Sequence, residues 1–111
     1  MGEDPIFVAT FDGDGDGDGE RAVIVISGEL DLAGVPMLQG RILEAAERHA
    51  GDLVVDMAGL EFMDSSGISV LIGAHKMLRT KDRRLVLRAP GGSPRDVLAT
   101  TRMDEVFTIE D

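Results

Sequence analysis

The stretch Leu53-Val54-Val55-Asp56-Met57-Ala58-Gly59-Leu60-Glu61-Phe62-Met63-Asp64-Ser65-Ser66-Gly67-Ile68 changes its hydrophobic period partway along. Its first five residues are apolar except for Asp56, which predicts a short buried strand over 53–57. Beyond the serines, Ile68, Leu71, Ile72, His75 and Leu78 recur at helical spacing, so an amphipathic helix is expected to begin near Ser65-Ser66. Serine is a favoured helix start, and Lys76, Arg79 and Lys81 place positive charge at the other end, where the helix dipole is negative. A strand that turns directly into a helix is half of a βαβ unit.

The alternation continues in both directions. Upstream, Ile6-Phe7-Val8-Ala9-Thr10-Phe11 reads as a strand bounded by Pro5, and the β-branched run Ala22-Val23-Ile24-Val25-Ile26 as a strand buried on both faces. Between them, residues 12–20 alternate Asp with Gly up to Glu20. Gly is costly to order and neighbouring carboxylates repel, so a flexible acidic loop extending a hairpin turn is expected there. After Gly28-Glu29-Leu30-Asp31, residues Val35, Leu38, Ile42, Ala45 and Ala46 mark an amphipathic helix, with Pro36 tolerated in its first turn and Gly51 suiting its end. Downstream, Arg84-Leu85-Val86-Leu87-Arg88 is a strand. A short helix is expected to open with Ser93 as cap and Pro94 as first residue and to run to about Thr101, and Val106-Phe107-Thr108-Ile109 is a final strand. The order β-β-α-β-α-β-α-β predicts one α/β domain over residues 1–111, with a mixed, mostly parallel sheet of about five strands and packed helices.

Composition narrows the chemistry. The 111 residues contain no Cys, which excludes disulfides, thiolate catalysis and Cys-based metal sites, and no Trp or Tyr, which leaves little to stack on bases. The net charge is −10, and seven of the 21 acidic residues lie in the first 20 positions, which hold no Lys or Arg. Such a chain is repelled by nucleic-acid backbones and anionic lipid, so neither is an expected partner. No apolar run approaches the roughly 20 residues of a bilayer span, and the N-terminus lacks a basic start and apolar stretch, so a cytoplasmic protein is expected.

Candidate chemistry centres on Asp64-Ser65-Ser66-Gly67. Asp and Ser are natural caps and Gly67 relieves crowding, which is a purely architectural reading. The same turn would offer a serine hydroxyl to a kinase, and phosphorylation would add roughly −1.5 to −2 charges beside Asp64 at a helix start able to hold them. A nucleophilic serine is poorly supported: there is no Gly-x-Ser-x-Gly elbow, and His75 lies about 15 Å further along the helix by its rise of 1.5 Å per residue. The Asp-Gly repeat imitates a calcium loop from Asp12 or Asp14, but the twelfth position, which needs a bidentate Glu, is Val23 or Val25. No metal and no cofactor are therefore expected. Phosphate-binding loop motifs are also missing. Six of the 11 Lys and Arg residues lie between Lys76 and Arg88 with only Asp82 against them, which reads as a solvated helix end or as help in docking an acidic partner.

Gly28-Glu29-Leu30-Asp31, a helix, and then Val54 through Gly67 together resemble the STAS domain of bacterial anti-sigma factor antagonists, and the similarity runs from about residue 6 to 109. The resemblance implies a non-enzymatic binding module of stress or sporulation signalling. Its Ser65 would be phosphorylated by an anti-sigma factor that is itself a serine kinase, and dephosphorylated by a phosphoserine phosphatase. Unphosphorylated, it would bind that kinase and so release a sigma factor for transcription. Asp31, Asp64, Ser65, Ser66 and Gly67 would form the docking surface, with the protein a monomer or weak homodimer. A non-phosphorylated accessory subunit or scaffold of a transport or stress-sensing complex is the alternative. Three features depart from the family pattern: Ser69 where a glycine is common, the Asp-Gly loop, and an end at Asp111 where a further helix is usual.

Overall fold

The computed structural model describes residues 7–11 and 21–111, with the side chain of Phe11 left aside. The start of the first expected strand and the acidic stretch 12–20 lie outside the described residues. The elements are β1 (Phe7–Phe11), β2 (Ala22–Leu30), α1 (Val35–Arg48), β3 (Leu53–Met63), α2 (Ser65–Arg79), β4 (Leu85–Arg88), α3 (Gly92–Thr100) and β5 (Thr108–Glu110). Short 3₁₀ turns at Leu32–Gly34 and Met103–Glu105 were not anticipated. The expected order is thus the observed one, and five strands lie in the spatial order β1-β2-β3-β4-β5. β1 pairs antiparallel with β2, and every later pair is parallel.

A parallel sheet that advances strand by strand in one direction, with right-handed crossovers, places its helices on one face. Side-chain alternation agrees. Ala22, Ile24 and Ile26, Leu53, Val55 and Met57, and Leu85 and Leu87 join Leu38, Ile42, Leu71, Leu78 and Leu98 of the helices in the main core. The intervening Val23, Val54 and Val86 form a separate small cluster on the other face. Each fully buried Leu, Ile or Met in the main core stabilises the fold by roughly 1.5–3 kcal/mol relative to exposure.

Several boundaries shift, each for a physical reason. β2 and β3 run on to Leu30 and Met63 because they continue to pair with each other beyond the end of β4, through Ser27↔Gly59, Gly28↔Leu60, Glu29↔Phe62 and Leu30↔Met63. Register shifts interrupt that ladder, and Gly28 stands at one of them with φ 89°, a conformation glycine adopts without steric cost. α3 packs against β3. It starts one residue before Ser93: the cap is Gly91, and Pro94 sits in the first turn, where its missing N–H costs nothing. The final strand begins at Thr108, because Val106 belongs to the close of a 3₁₀ turn while Phe107 dips into the core.

The basic run 76–88 is not uniformly a solvated flank. Lys76, Arg79, Lys81 and Arg84 are exposed, but Arg83 is only 8 % exposed. Its Nε donates to the Gly51 carbonyl at 2.7 Å and its Nη1 to the Ala46 carbonyl at 3.0 Å. Ala46 is in the last turn of α1, so this guanidinium satisfies a carbonyl the helix leaves open and meets the negative end of its dipole.

Candidate functional site

The carboxyl ends of parallel strands are where open α/β sheets usually place their sites, because the chain turns there into helices. β2 and β3 end side by side: Leu30 pairs with Met63, and the Asp64 N–H donates to the Leu30 carbonyl at 3.2 Å. Two aspartates, 33 residues apart in sequence, therefore come to neighbouring positions at one edge. The turns they make are built alike. Asp31 (φ −124°, ψ −167°) accepts a hydrogen bond from the Ala33 N–H at 3.0 Å. Asp64 (φ −107°, ψ −170°) accepts one from the Ser66 N–H at 2.9 Å. In each, one carboxylate oxygen closes a turn over an extended residue, the usual geometry of an N-cap.

Ser65 is the first residue of α2 and is exposed, as is Ser69 one turn on, whose hydroxyl donates to the Ser65 carbonyl at 3.1 Å. Ser66 is half-buried, its N–H held by Asp64. Gly67 is buried and has a positioning role at this turn. A Cβ there would stand 2.6 Å from Met63 Cγ and 2.8 Å from Leu30 Cδ2. Glycine lets the first turn of α2 settle onto the ends of β2 and β3, and this fixes where Ser65 emerges. On the other side of Leu30, a Cβ at Gly34 would meet Phe7 Cδ2 at 2.9 Å and Leu30 Cδ1 at 3.3 Å. One wholly buried leucine thus seats both cap turns.

Large apolar side chains stand exposed close to these caps, which hydrophobic periodicity does not announce. Leu32, directly after Asp31, is 74 % exposed, and Phe62, two residues before Asp64, is 42 % exposed. Met37 on α1 is also open, and lines a small cleft of about 150 Å³ with Phe7, Glu29 and Asp31. Large apolar side chains inside polar cap turns are the signal that was available, since a capping turn alone gives no reason for them.

No histidine stands with Ser65. His75 packs edge-on against Phe107, ring centroids 5.6 Å apart, far along α2, and His49 caps the end of α1. Among the described residues no three His, Asp or Glu gather as a metal site needs, and no helix is long and apolar enough to cross a membrane.

Comparison with known proteins places this geometry. The family model described as Mlab, STAS domain, matches residues 15–109. The chain is 34 % identical over 62 residues to the anti-sigma-B factor antagonist of Bacillus subtilis, covering 56 % of each chain. It is 35 % identical over 60 residues to the anti-sigma F factor antagonist of Paenibacillus polymyxa, covering 53 % of this chain and 51 % of that one. The chain thus spans little more than half the length of these curated relatives. Among solved structures, an anti-sigma factor antagonist from Mycobacterium paratuberculosis superposes with a TM-score of 0.75 at 26 % identity, over 94 % of this chain and 85 % of that one. The antagonist SpoIIAA in its unphosphorylated form also gives 0.75, at 23 % identity over 94 % and 89 %, a likeness of fold. With β2, β3, β4, most of β5 and all three helices inside the matched region, the chain belongs to the STAS domain family.

Proposed function

We propose that this STAS domain is an anti-sigma factor antagonist switched by phosphorylation of Ser65. The observation that carries the reading is the exposed serine at the first position of α2, directly after the capping Asp64 and beside Asp31 at the paired ends of β2 and β3. The names of the curated relatives support it. In the proposed reaction a serine-kinase anti-sigma factor transfers the γ-phosphoryl group of ATP to Ser65 Oγ. The hydroxyl proton leaves to a base of the kinase, and ADP departs. A phosphoserine phosphatase reverses the modification by hydrolysis. The domain itself contributes no catalysis and requires no cofactor; it works in the cytoplasm, as a monomer or weak homodimer.

The physical basis of the switch is a change of charge at a docking face. Unmodified, the two cap turns offer exposed Leu32, next to Asp31, and exposed Phe62, two residues before Asp64, for burial. Phosphorylation adds roughly −1.5 to −2 charges beside those carboxylates. The helix start tolerates that charge without refolding, because the positive end of the α2 dipole favours an anion there. The partner instead must desolvate a phosphate and meet three negative groups at once. Two unit charges about 4 Å apart interact by about 4 kcal/mol near a protein surface, so one such contact outweighs the roughly 1.4 kcal/mol that changes affinity tenfold.

The test is incubation of the pure protein with a kinase-type anti-sigma factor and ATP, followed by intact-mass and peptide analysis. A single phosphate on Ser65, lost in Ser65→Ala, is expected, and Ser65→Asp should bind the kinase at least tenfold more weakly. Phosphate on another residue, or unchanged affinity in Ser65→Asp, overturns the reading. Recovery of the protein from its host with transporter components and without phosphate would favour an accessory subunit instead.

A further inference from the structure

At the end of the sheet opposite Ser65, between the last turns of α2, the start of β4 and the 3₁₀ turn before β5, lies a cleft of about 450 Å³. His75, Arg79, Arg83 and Arg84 line it, with Thr108, and Glu105 is its one carboxylate. In a chain of net charge −10, three guanidinium groups lining one cleft, with Glu105 in its wall and Asp52 paired to Arg84 from outside it, run counter to the rest of the molecule. We propose that this cleft binds a small phosphate-bearing anion.

Arg83 differs from its basic neighbours. A basic residue on a solvated helix end has its charge in water, whereas this one is buried, and two fixed carbonyls hold it in place. Its remaining nitrogen, Nη2, is buried with no hydrogen-bond partner among the described residues. A buried charged donor left unmatched is unfavourable; Nη2 itself is closed to solvent, so an oxyanion in the adjoining cleft would oppose that cost through its charge, while Arg79 and Arg84 on the rim supply direct hydrogen bonds. Capping α1 requires the two bonds the residue already makes and leaves the third nitrogen without a use. On the rim, Arg79 is exposed and makes no ion pair among the described residues, while Arg84 faces Asp52 at 3.3 Å with 71 % of its side chain open. Their planar forks suit the oxygens of a phosphate better than a single carboxylate requires. The volume is that of a small-molecule pocket. A nucleic-acid strand fits poorly, because its other phosphates would meet a strongly acidic protein.

The site is separate from Ser65, so its fate and that of the switch are decided independently. The experiment titrates the full ¹⁵N-labelled protein with inorganic phosphate and, in a second arm, pyrophosphate, against sodium chloride at matched ionic strength. Saturable amide shifts confined to residues 79–85 and 105–108 are expected, tighter with pyrophosphate. The surface variant R79Q/R84Q should weaken binding at least tenfold, equivalent to about 1.4 kcal/mol. Glu105→Gln, which removes the one repelling carboxylate, should strengthen it. Shifts equal to those of chloride, shifts at Ser65–Gly67 instead, or unchanged affinity in R79Q/R84Q would overturn the proposal. Folding of each variant is read from the same spectra.

Discussion

Two glycines of α2 stand in opposite surroundings, and they predict opposite outcomes for one substitution. A Cβ at Gly67 is driven into Met63 and Leu30, both fully buried, whereas at Gly73 nothing lies within 4 Å. Gly67→Ala should therefore destabilise the fold by about 1–3 kcal/mol through overpacking. Gly73→Ala should stabilise it by about 0.5–1 kcal/mol, because alanine loses less backbone freedom in a helix. Urea midpoints at unchanged slope measure both. Asp64 separates architecture from charge in the same way. Asparagine caps as well as aspartate, so Asp64→Asn should leave stability nearly intact while Asp64→Ala loses about 1 kcal/mol. If the carboxylate also shapes docking, Asp64→Asn alters kinase affinity at constant stability, measured by titration calorimetry beside the urea curve.

At the scale of elements, the short strand β5 owes part of its hold on the sheet to a charged contact. Arg88 Nε donates to Glu110 Oε1 at 2.9 Å, across the register pair that joins β4 to β5, and Arg21 reaches the other oxygen at 3.4 Å. The Arg88 hydrogen bond is the main cause that lowers the Glu110 pKa below its ordinary value, with the charges of Arg88 and Arg21 adding to it against some desolvation. A carboxylate whose pKa falls on folding stabilises the native state above its unfolded pKa and loses that contribution as pH drops through the folded one. Glu110→Gln should thus be less stable than the parent near neutrality and converge with it in acid, as urea midpoints over roughly pH 6 to pH 2 would show. A constant difference at all pH values would assign the contribution to shape rather than charge.

Over the whole molecule, Arg83 ties the loop after α2 to the end of α1, 37 residues earlier in the chain. Its loss strands two carbonyls and opens a gap in one step. Arg83→Met should cost on the order of 3 kcal/mol, since each hydrogen bond to a charged group contributes about 1.5–3 kcal/mol. That corresponds to a fall in Tm of roughly 10–20 °C for a domain of this size. Arg83→Lys should recover less than half, because an ammonium cannot span both carbonyls as the planar fork does. A calorimetric scan of the three proteins checks the order.

Strand and helix identity, their sequence order and the parallel sheet were legible along the chain, because periods of two and of 3.6 are local properties that burial imposes on neighbouring residues. Asp64 as a cap and Ser65 at a helix start were legible for the same reason. Three features were not. The ends of β2 and β3 depend on pairing between segments some 30 residues apart, which no local pattern in Gly28-Glu29-Leu30 announces. The meeting of Asp31 with Asp64, and the seating of both turns on Leu30, exist only once those strands lie side by side. Arg83 looks like its solvated neighbours in sequence and differs only in what surrounds it, since a guanidinium is buried or exposed according to whether distant carbonyls come within its reach.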